Sequence, residues 1–273
     1  MSDLCKLLAL LEHGVAVVVR VVQAQGSVPR GAGTWMGVFA QELIGTIGGG
    51  HLEFEAIAQA RQMLADAAVP ARQTRRFALG PSLGQCCGGV VHLQFDRVSE
   101  RDIAALRDSL VPAHAMPVTL FGGGHVGRAI VQALGALPVQ VRWIDSRDEI
   151  FPPSMPDNTQ AEHSGPVHGA VRDLAAGSHV LIMSFSHAED LDIVAACLQR
   201  KREQGDLPFI GLIGSQTKWA TFKRRLRERS FSDAELATVT CPIGLPGIAG
   251  KEPEVIAVAV AAQLLALRQI AAN

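Results

Sequence analysis

The sequence predicts an α/β protein in two parts, a small N-terminal mixed α/β domain followed by a domain built on a parallel sheet. A chain of 273 residues has room for about two domains. In the second half, short apolar runs alternate with segments of helical period, as in parallel sheets with crossover helices. We expect the first domain at residues 1–98, a connecting helix and linker at 99–116, and the second domain at 117–273.

The first domain is predicted to contain two helices and five short strands. Leucines at helical spacing mark a first helix that ends at Gly14, and Val15–Ala24 is a continuous β-branched run typical of a buried strand. The remaining predicted elements are strands at Thr34–Phe39 and Glu42–Ile47, a helix at His51–Ala68, and strands at Ala71–Leu79 and Val90–Phe95.

The second domain opens with the most informative pattern of the chain. An apolar strand, Pro117–Phe121, leads into Gly122-Gly-Gly-His-Val-Gly127 and then into a helix from about Arg128. A second strand, Val139–Ile144, ends on Asp145. Strand, glycine turn, helix, strand and acid form the complete context of a dinucleotide-binding fingerprint. The sequence therefore predicts a Rossmann-like domain.

Each fingerprint residue has an expected role toward a nucleotide-like ligand. Gly122 allows the tight turn, Gly124 lets the backbone approach a pyrophosphate, and Gly127 lets the helix pack on the strand. Asp145 is placed to accept hydrogen bonds from ribose hydroxyls. The pattern then continues with strands at His179–Ser184 and Pro208–Ile213, helices at Glu189–Gln204 and Gln216–Arg229, a capping box at Ser232–Glu235, and a final helix that begins at Pro253.

Composition limits the classes of function. The formal net charge of −1 and the isoelectric point near 6.8 give no field that favours nucleic acid or an anionic membrane. Basic residues cluster in Lys218–Arg229, and we favour the solvated face of an amphipathic helix over a nucleic-acid patch. We expect a soluble cytoplasmic protein, because the longest apolar stretch, Val255–Leu267, is too short to span a bilayer and the five cysteines form no disulfide framework.

Three glycine-rich loops lie in the first domain, at Ala24–Gly33, Gly45–Glu53 and Gly84–Gly89. Glycines in such loops can simply permit tight hairpins. Three loops in one small domain favour backbone N–H cradles for an anion, and Gly48, Gly49 and Gly50 directly precede a predicted helix.

Two adjacent cysteines, Cys86 and Cys87, stand between glycines in the third loop. Such a setting is unlike that of a buried, inert cysteine. No second Cys/His pair at zinc-finger spacing accompanies them, and adjacent cysteines form a strained ring when oxidised. A soft ligand or a thiol that handles sulfur is the better interpretation.

A second group of polar residues follows the strand at His179–Ser184. His187 and Asp190 could share a helix face and bind a metal, but helix capping by Ser186 and the neighbouring acids is the favoured interpretation. Cys241, before Pro242, is expected either near the same sheet edge or in the core.

These motifs together resemble the xanthine dehydrogenase accessory protein family, XdhC, which is related to CoxI. The resemblance covers nearly the whole chain in the expected order. Its most specific parts are the paired-cysteine loop and the Pro-Ile-Gly-Leu segment. The matching segments are Gln25–Gly31, Gly45–Glu53, Gly84–Gly89, Phe121–Gly127, Ser186–Asp190, Gly211–Lys218 and Cys241–Ala257.

The resemblance implies a molybdenum cofactor chaperone and not an enzyme. It implies that the protein binds molybdopterin-bound molybdenum, works with a cysteine desulfurase that installs the terminal sulfido ligand, and delivers the cofactor to the molybdenum-binding subunit of apo xanthine dehydrogenase. Cys86 and Cys87 match the position where a thiol near the metal is expected. A homodimer is the generic expectation for self-association.

Two other functions stay open at this point. The Rossmann half could bind a nucleotide and serve an NAD(P)-dependent oxidoreductase, although the chain has no tyrosine for a Tyr/Lys proton-donor pair. The cysteine pair could instead belong to a thiol-based sulfur carrier.

Overall fold

The computed structural model describes residues 3–79, 88–110 and 115–272, without the side chains of 269–272. The chain divides into two compact units, Met1–Ala113 and His114–Asn273. The first unit contains an antiparallel sheet and the second a parallel one. The predicted fold class is confirmed.

The first unit pairs its strands in the order β3-β2-β1-β5-β4, and all neighbours are antiparallel. Its longest strand, β1, lies at the centre. The described elements are α1 (Asp3–Leu11), β1 (Ala16–Gln25), β2 (Trp35–Val38), β3 (Leu43–Gly45), α2 (Gly50–Ala65), β4 (Arg72–Ala78), β5 (Val90–Val98) and α3 (Ile103–Leu110).

The β-branched run of β1 is explained by burial on both faces of the sheet. Val17 and Val19 pack on the side of α2, while Ala16 and Val18 pack on the side of α1 and α3. Alternate residues of a strand point to opposite faces, so a strand covered on both sides needs an unbroken apolar run. On the side of α1 and α3 the apolar run ends at Val18, since Arg20 follows on that face and Val22 is 41% exposed.

Helix α3 lies in the segment that the sequence assigned to a domain connection. Leu106 and Leu110 are buried in the same cluster as Leu7 and Leu11 of α1. This helix therefore belongs to the core of the first unit.

The second unit contains six parallel strands in the order β11-β10-β9-β6-β7-β8. This is the strand order of a dinucleotide-binding sheet, in which the order reverses between the first and fourth strands of the unit, here β6 and β9. The elements are β6 (Met116–Phe121), α4 (His125–Leu134), β7 (Val139–Asp145), β8 (Thr159–His163), β9 (His179–Ile182), α5 (His187–Gln204), β10 (Phe209–Leu212), α6 (Gln216–Glu228), α7 (Asp233–Leu236), β11 (Val239–Thr240) and α8 (Pro253–Ala272).

Helices cover both faces of this sheet. Ile130 of α4 and Leu264 of α8 pack with Leu120 on one face. Leu191 of α5 and Trp219 of α6 belong to the cluster on the other face. Within the part of the chain that the structure describes, no helix has the length and apolarity needed to cross a membrane.

Two strands of the sheet were not predicted from the sequence. β8, at Thr159–His163, is an edge strand of mostly polar residues, and only Thr159 is fully buried. β11 has two residues. Neither carries the apolar run or alternation on which a strand prediction depends.

Arg200 is a buried charged residue that joins α5 to the chain before β9. Its guanidinium group donates to the carbonyl oxygens of Val171 and Leu174, at 2.7 and 2.8 Å, and forms an ion pair with Asp206. The side chain is only 8% exposed. Hydrogen bonding and charge of Asp206 hold the pKa of Arg200 above its ordinary value.

We expect Arg200→Leu to reduce the free energy of unfolding by about 3 kcal/mol, because it leaves a partly buried carboxylate and several carbonyl groups without their donor. Chemical denaturation followed by circular dichroism measures this. Arg202→Leu is the matched control, since Arg202 lies two residues away on the same helix in a solvent-exposed ion pair with Glu235. Equal losses in the two variants would contradict the structural role of Arg200.

Candidate functional site

The glycine turn between β6 and α4 is packed too tightly for side chains at two of its glycines. Gly122 has φ +125°, and a Cβ there would collide with the carbonyl oxygen of Met183. A Cβ on Gly127 would collide with the carbonyl oxygen of Gly122. The fold itself therefore requires both glycines, whatever the turn binds.

Gly124 differs from its neighbours in the turn. It is the N-cap residue of α4 with φ −67°, a conformation open to any residue, and a Cβ there would meet nothing within 4 Å. The space beside Gly124 is therefore open. Free N–H groups at the start of a helix favour an anion in such a space.

Asp145, at the end of β7, is buried and already bonded. Its Oδ2 accepts from the backbone N–H of Gly123 at 2.6 Å, and its Oδ1 accepts from the backbone N–H of Arg147 at 2.9 Å. The Arg147 guanidinium donates to both oxygens at 2.9 Å. The ribose role predicted for Asp145 stays a prediction, and it would require Arg147 to move.

Opposing effects act on the pKa of Asp145. Burial would raise it, but hydrogen bonds from Arg147 and Gly123 and the charge of Arg147 outweigh burial and hold it below its ordinary value. The same pairing raises the pKa of Arg147. The two groups therefore form an ion pair that fixes the glycine turn to the end of β7.

The loops after β7 and β9 meet at the point where the strand order reverses. Ser146 donates to Oε1 of Glu189 at 2.7 Å. The Arg147 guanidinium lies 4.4 Å from the ring centroid of Phe185, a cation–π distance. Phe185 is nevertheless 65% exposed. In open α/β sheets this reversal is where ligands bind.

His187 and Asp190 occupy different environments. Asp190 is buried and accepts from the N–H and hydroxyl groups of Ser184 and from Nζ of Lys218, the last at 2.6 Å. His187 is exposed at the start of α5. Among the described residues no group of three or more His, Cys, Asp or Glu side chains could hold a metal ion. Helix capping by Ser186, which accepts from the N–H of Glu189, is present.

Cys241 lines a cavity of about 430 Å³ beside the start of α8. Its thiol is partly buried, and burial raises its pKa, which the charge of Lys218 only partly opposes. The thiol is therefore a poor source of thiolate at neutral pH. Other lining residues include Gln216, Ile243, Gly244, Val255 and Ala259.

In the first unit, the glycine loops meet one another. A Cβ on Gly48 would lie 2.5 Å from Cβ of Pro29, so the first and second loops touch. The N–H of Gly89 donates to the carbonyl oxygen of Ser27 at 3.1 Å, so the third loop reaches the first. The structure thus brings together the loops that the sequence predicted to form an anion site.

One of the predicted N–H cradles is filled by the protein itself. Oε2 of Glu53 accepts from the N–H groups of Ile47 and Gly49, at 2.9 and 3.1 Å. The turn with Gly48, Gly49 and Gly50, all at positive φ, therefore does bind an anion, but the anion is a side chain of the following helix. An external anion would have to displace Glu53.

Cys86 and Cys87 lie outside the described residues. The residues on either side are described: the N–H of Leu79 donates to the carbonyl oxygen of Gly89 at 2.7 Å.

Comparisons with known proteins agree with this architecture. Residues 118–264 match the family described as the XdhC Rossmann domain, and residues 9–77 match the XdhC and CoxI family. The chain belongs to the XdhC family. The resemblance drawn from the sequence motifs is confirmed.

Two individual proteins are similar to this XdhC-family chain. It is 25% identical over 253 residues to YqeB of Escherichia coli K12, described as an uncharacterized protein. The alignment covers 92% of this chain and 43% of YqeB, so the chain spans less than half the length of that relative. A Bacillus halodurans structure described as a xanthine dehydrogenase superposes with a TM-score of 0.73 at 18% identity, over 99% of this chain and 96% of that one. At this identity the second match shows the fold alone.

Sequence reasoning missed three side chains at the carboxyl edge of the sheet. These are Arg147, Glu189 and Lys218. Glu189 contacts Ser146 over 43 positions and Lys218 contacts Asp190 over 28, while Arg147 pairs with Asp145 two positions before it. Phe185, an aromatic residue in the polar loop after β9, was a sequence signal that could have indicated a site at this edge.

We expect Asp145→Asn to lower the free energy of unfolding at pH 7 by roughly 2–3 kcal/mol, because hydrogen bonds to a charged acceptor are lost. A lowered pKa in the folded state means that this stabilisation is present above the unfolded value near 3.8 and is lost as pH falls through the folded pKa. The variant should therefore lose less stability than wild type on acidification below about pH 4.

Urea denaturation of both proteins across this pH range measures the effect. Asp148→Asn, at an exposed position nearby, is the control and should follow wild type. Parallel pH profiles for wild type and Asp145→Asn would show that the Asp145 charge does not stabilise the turn.

Proposed function

We propose that this protein binds the molybdenum cofactor, supports its sulfuration and promotes its insertion into apo xanthine dehydrogenase. The observation that carries the proposal is family membership, since the XdhC match spans residues 118–264. The protein is a binding and delivery factor and not an enzyme in this proposal. The cofactor is cargo, and the cysteine desulfurase supplies the sulfur.

The described residues of the second unit suit such cargo. Molybdopterin carries a flat pterin ring and a phosphate. Open space beside Gly124 and the Arg147 guanidinium suit the phosphate. The exposed ring of Phe185 suits stacking on the pterin. The buried Oε2 of Glu189 has no hydrogen-bond partner in the described part of the chain and suits the N–H donors of that ring.

Cys86 and Cys87 are proposed to lie near molybdenum, because thiolates are soft ligands that suit sulfur-rich metal groups. The burial-raised pKa of Cys241 makes that thiol a weaker candidate. We propose that the protein acts in the cytoplasm, as a homodimer, with the molybdenum-binding subunit of the dehydrogenase and a cysteine desulfurase as partners.

The direct test is to purify the full chain from cells that make the cofactor, denature it, and assay released pterin and molybdenum. We expect both in equal amounts. We expect the double variant Cys86→Ala, Cys87→Ala to lose most of the molybdenum while its thermal unfolding stays unchanged. Cys5→Ala, at a partly buried cysteine of α1, is the control and should keep its cofactor. Wild-type cofactor content in the double variant would remove the thiols from the site.

The functional test is deletion of the gene. We expect xanthine dehydrogenase to be expressed and assembled but inactive, because its chemistry depends on the sulfurated cofactor. Xanthine oxidation and the sulfur content of the cofactor in the purified dehydrogenase measure this. A fully active, fully sulfurated dehydrogenase in the deletion strain would refute the chaperone role. It would favour an NAD(P)-dependent oxidoreductase or a sulfur carrier. Calorimetry with NAD(P) and assays for persulfide on the protein would distinguish these two.

A further inference from the structure

Glu189 places a buried carboxylate oxygen at the carboxyl edge of the sheet. It lies in the first turn of α5, where its Oε1 is held by the hydroxyl of Ser146 at 2.7 Å. Its other oxygen, Oε2, is buried without a hydrogen-bond partner among the residues that the structure describes. Leaving a carboxylate oxygen unsatisfied in the interior costs free energy, so such an atom in a ligand crevice indicates a donor on the ligand.

Phe185 lies in the loop just before this carboxylate and presents an aromatic face. The ring is 65% exposed although the Arg147 guanidinium is 4.4 Å from its centroid. Arg147 is in turn held by Asp145, so the ring is supported from one side by a fixed cation. An exposed aromatic face beside a ligand crevice is a stacking platform for planar rings.

We propose that Glu189 and Phe185 bind a 2-amino-4-oxopyrimidine ring, with its N–H edge on the Glu189 carboxylate and its face on Phe185. This ring presents two adjacent N–H donors in one plane, which match a carboxylate that can only accept. The proposal rests on the proposed function, and its occupant is the pterin of the molybdenum cofactor. Guanine carries the same edge and is the alternative source of this chemistry.

Access to Glu189 requires a local movement. Because Oε2 is buried, the ring edge reaches it only after neighbouring side chains move. The hydrogen bond from Ser146 keeps the carboxylate in place during this change.

The test compares Glu189→Gln and Phe185→Ala with wild type, all purified as full chains from cells that make the cofactor. The readout is pterin per chain after dilution and washing. We expect the retained affinity to fall roughly tenfold to a hundredfold in Glu189→Gln, from loss of a charge-assisted hydrogen bond, and about tenfold in Phe185→Ala, from loss of stacking. Thermal unfolding of each variant checks folding.

Two matched controls separate recognition from general surface effects. Phe54→Ala removes a phenylalanine of similar exposure, 69%, from the first unit. Glu203→Gln changes a glutamate at the other end of α5. Both should retain pterin as wild type does. Wild-type retention in folded Glu189→Gln and Phe185→Ala would overturn the inference while leaving the proposed function intact.

Calorimetry with guanosine monophosphate separates the two sources of the ring. If wild type carries no pterin or molybdenum but binds the nucleotide in a manner lost in Glu189→Gln, the ring recognition stands and the proposed function fails. If wild type carries no pterin and binds no guanosine monophosphate, the inference is wrong. Retention of pterin that depends on both residues supports both proposals.

Discussion

The second unit depends on the close contact between the β6–α4 turn and its neighbours. Gly127 packs directly against the carbonyl oxygen of Gly122, and Gly122 packs against that of Met183 after β9. The N–H of Gly123 then donates to the buried carboxylate of Asp145. Backbone contacts leave no room for adjustment, so the turn, the end of β7 and the end of β9 keep one arrangement. The backbone at the strand reversal is therefore preorganised, which reduces the cost of binding there.

Two ion pairs with buried carboxylates lie at this edge of the sheet and limit its chemistry. Asp145 is neutralised by Arg147, and Asp190 by Lys218. Since both carboxylates are committed to protein donors, neither is available as a metal ligand or a general base without breaking a buried pair, which is costly. The one carboxylate with an unsatisfied buried oxygen in the described chain is Glu189.

Much of this fold could be predicted because its elements carry strong local patterns. Residues adjacent in sequence are enough to recognise the glycine turn, the apolar runs of β1 and β6, and the capping box at Ser232. The site could be predicted less well, because its contacts depend on the sheet. The pair of Asp190 and Lys218 joins α5 to α6 over 28 positions, and no periodicity encodes such a contact. Edge strand β8 was missed since its environment requires no apolar pattern.

The N–H groups of the Gly48 turn in the first unit already have an acceptor within the protein. The N–H groups of the Gly48 turn do hold an anion, as their geometry predicts, but the anion is the Glu53 carboxylate four residues into the helix region. A charge-assisted internal contact of this kind competes with any external anion. An external anion at this turn therefore has to compete with Glu53 for the same N–H groups.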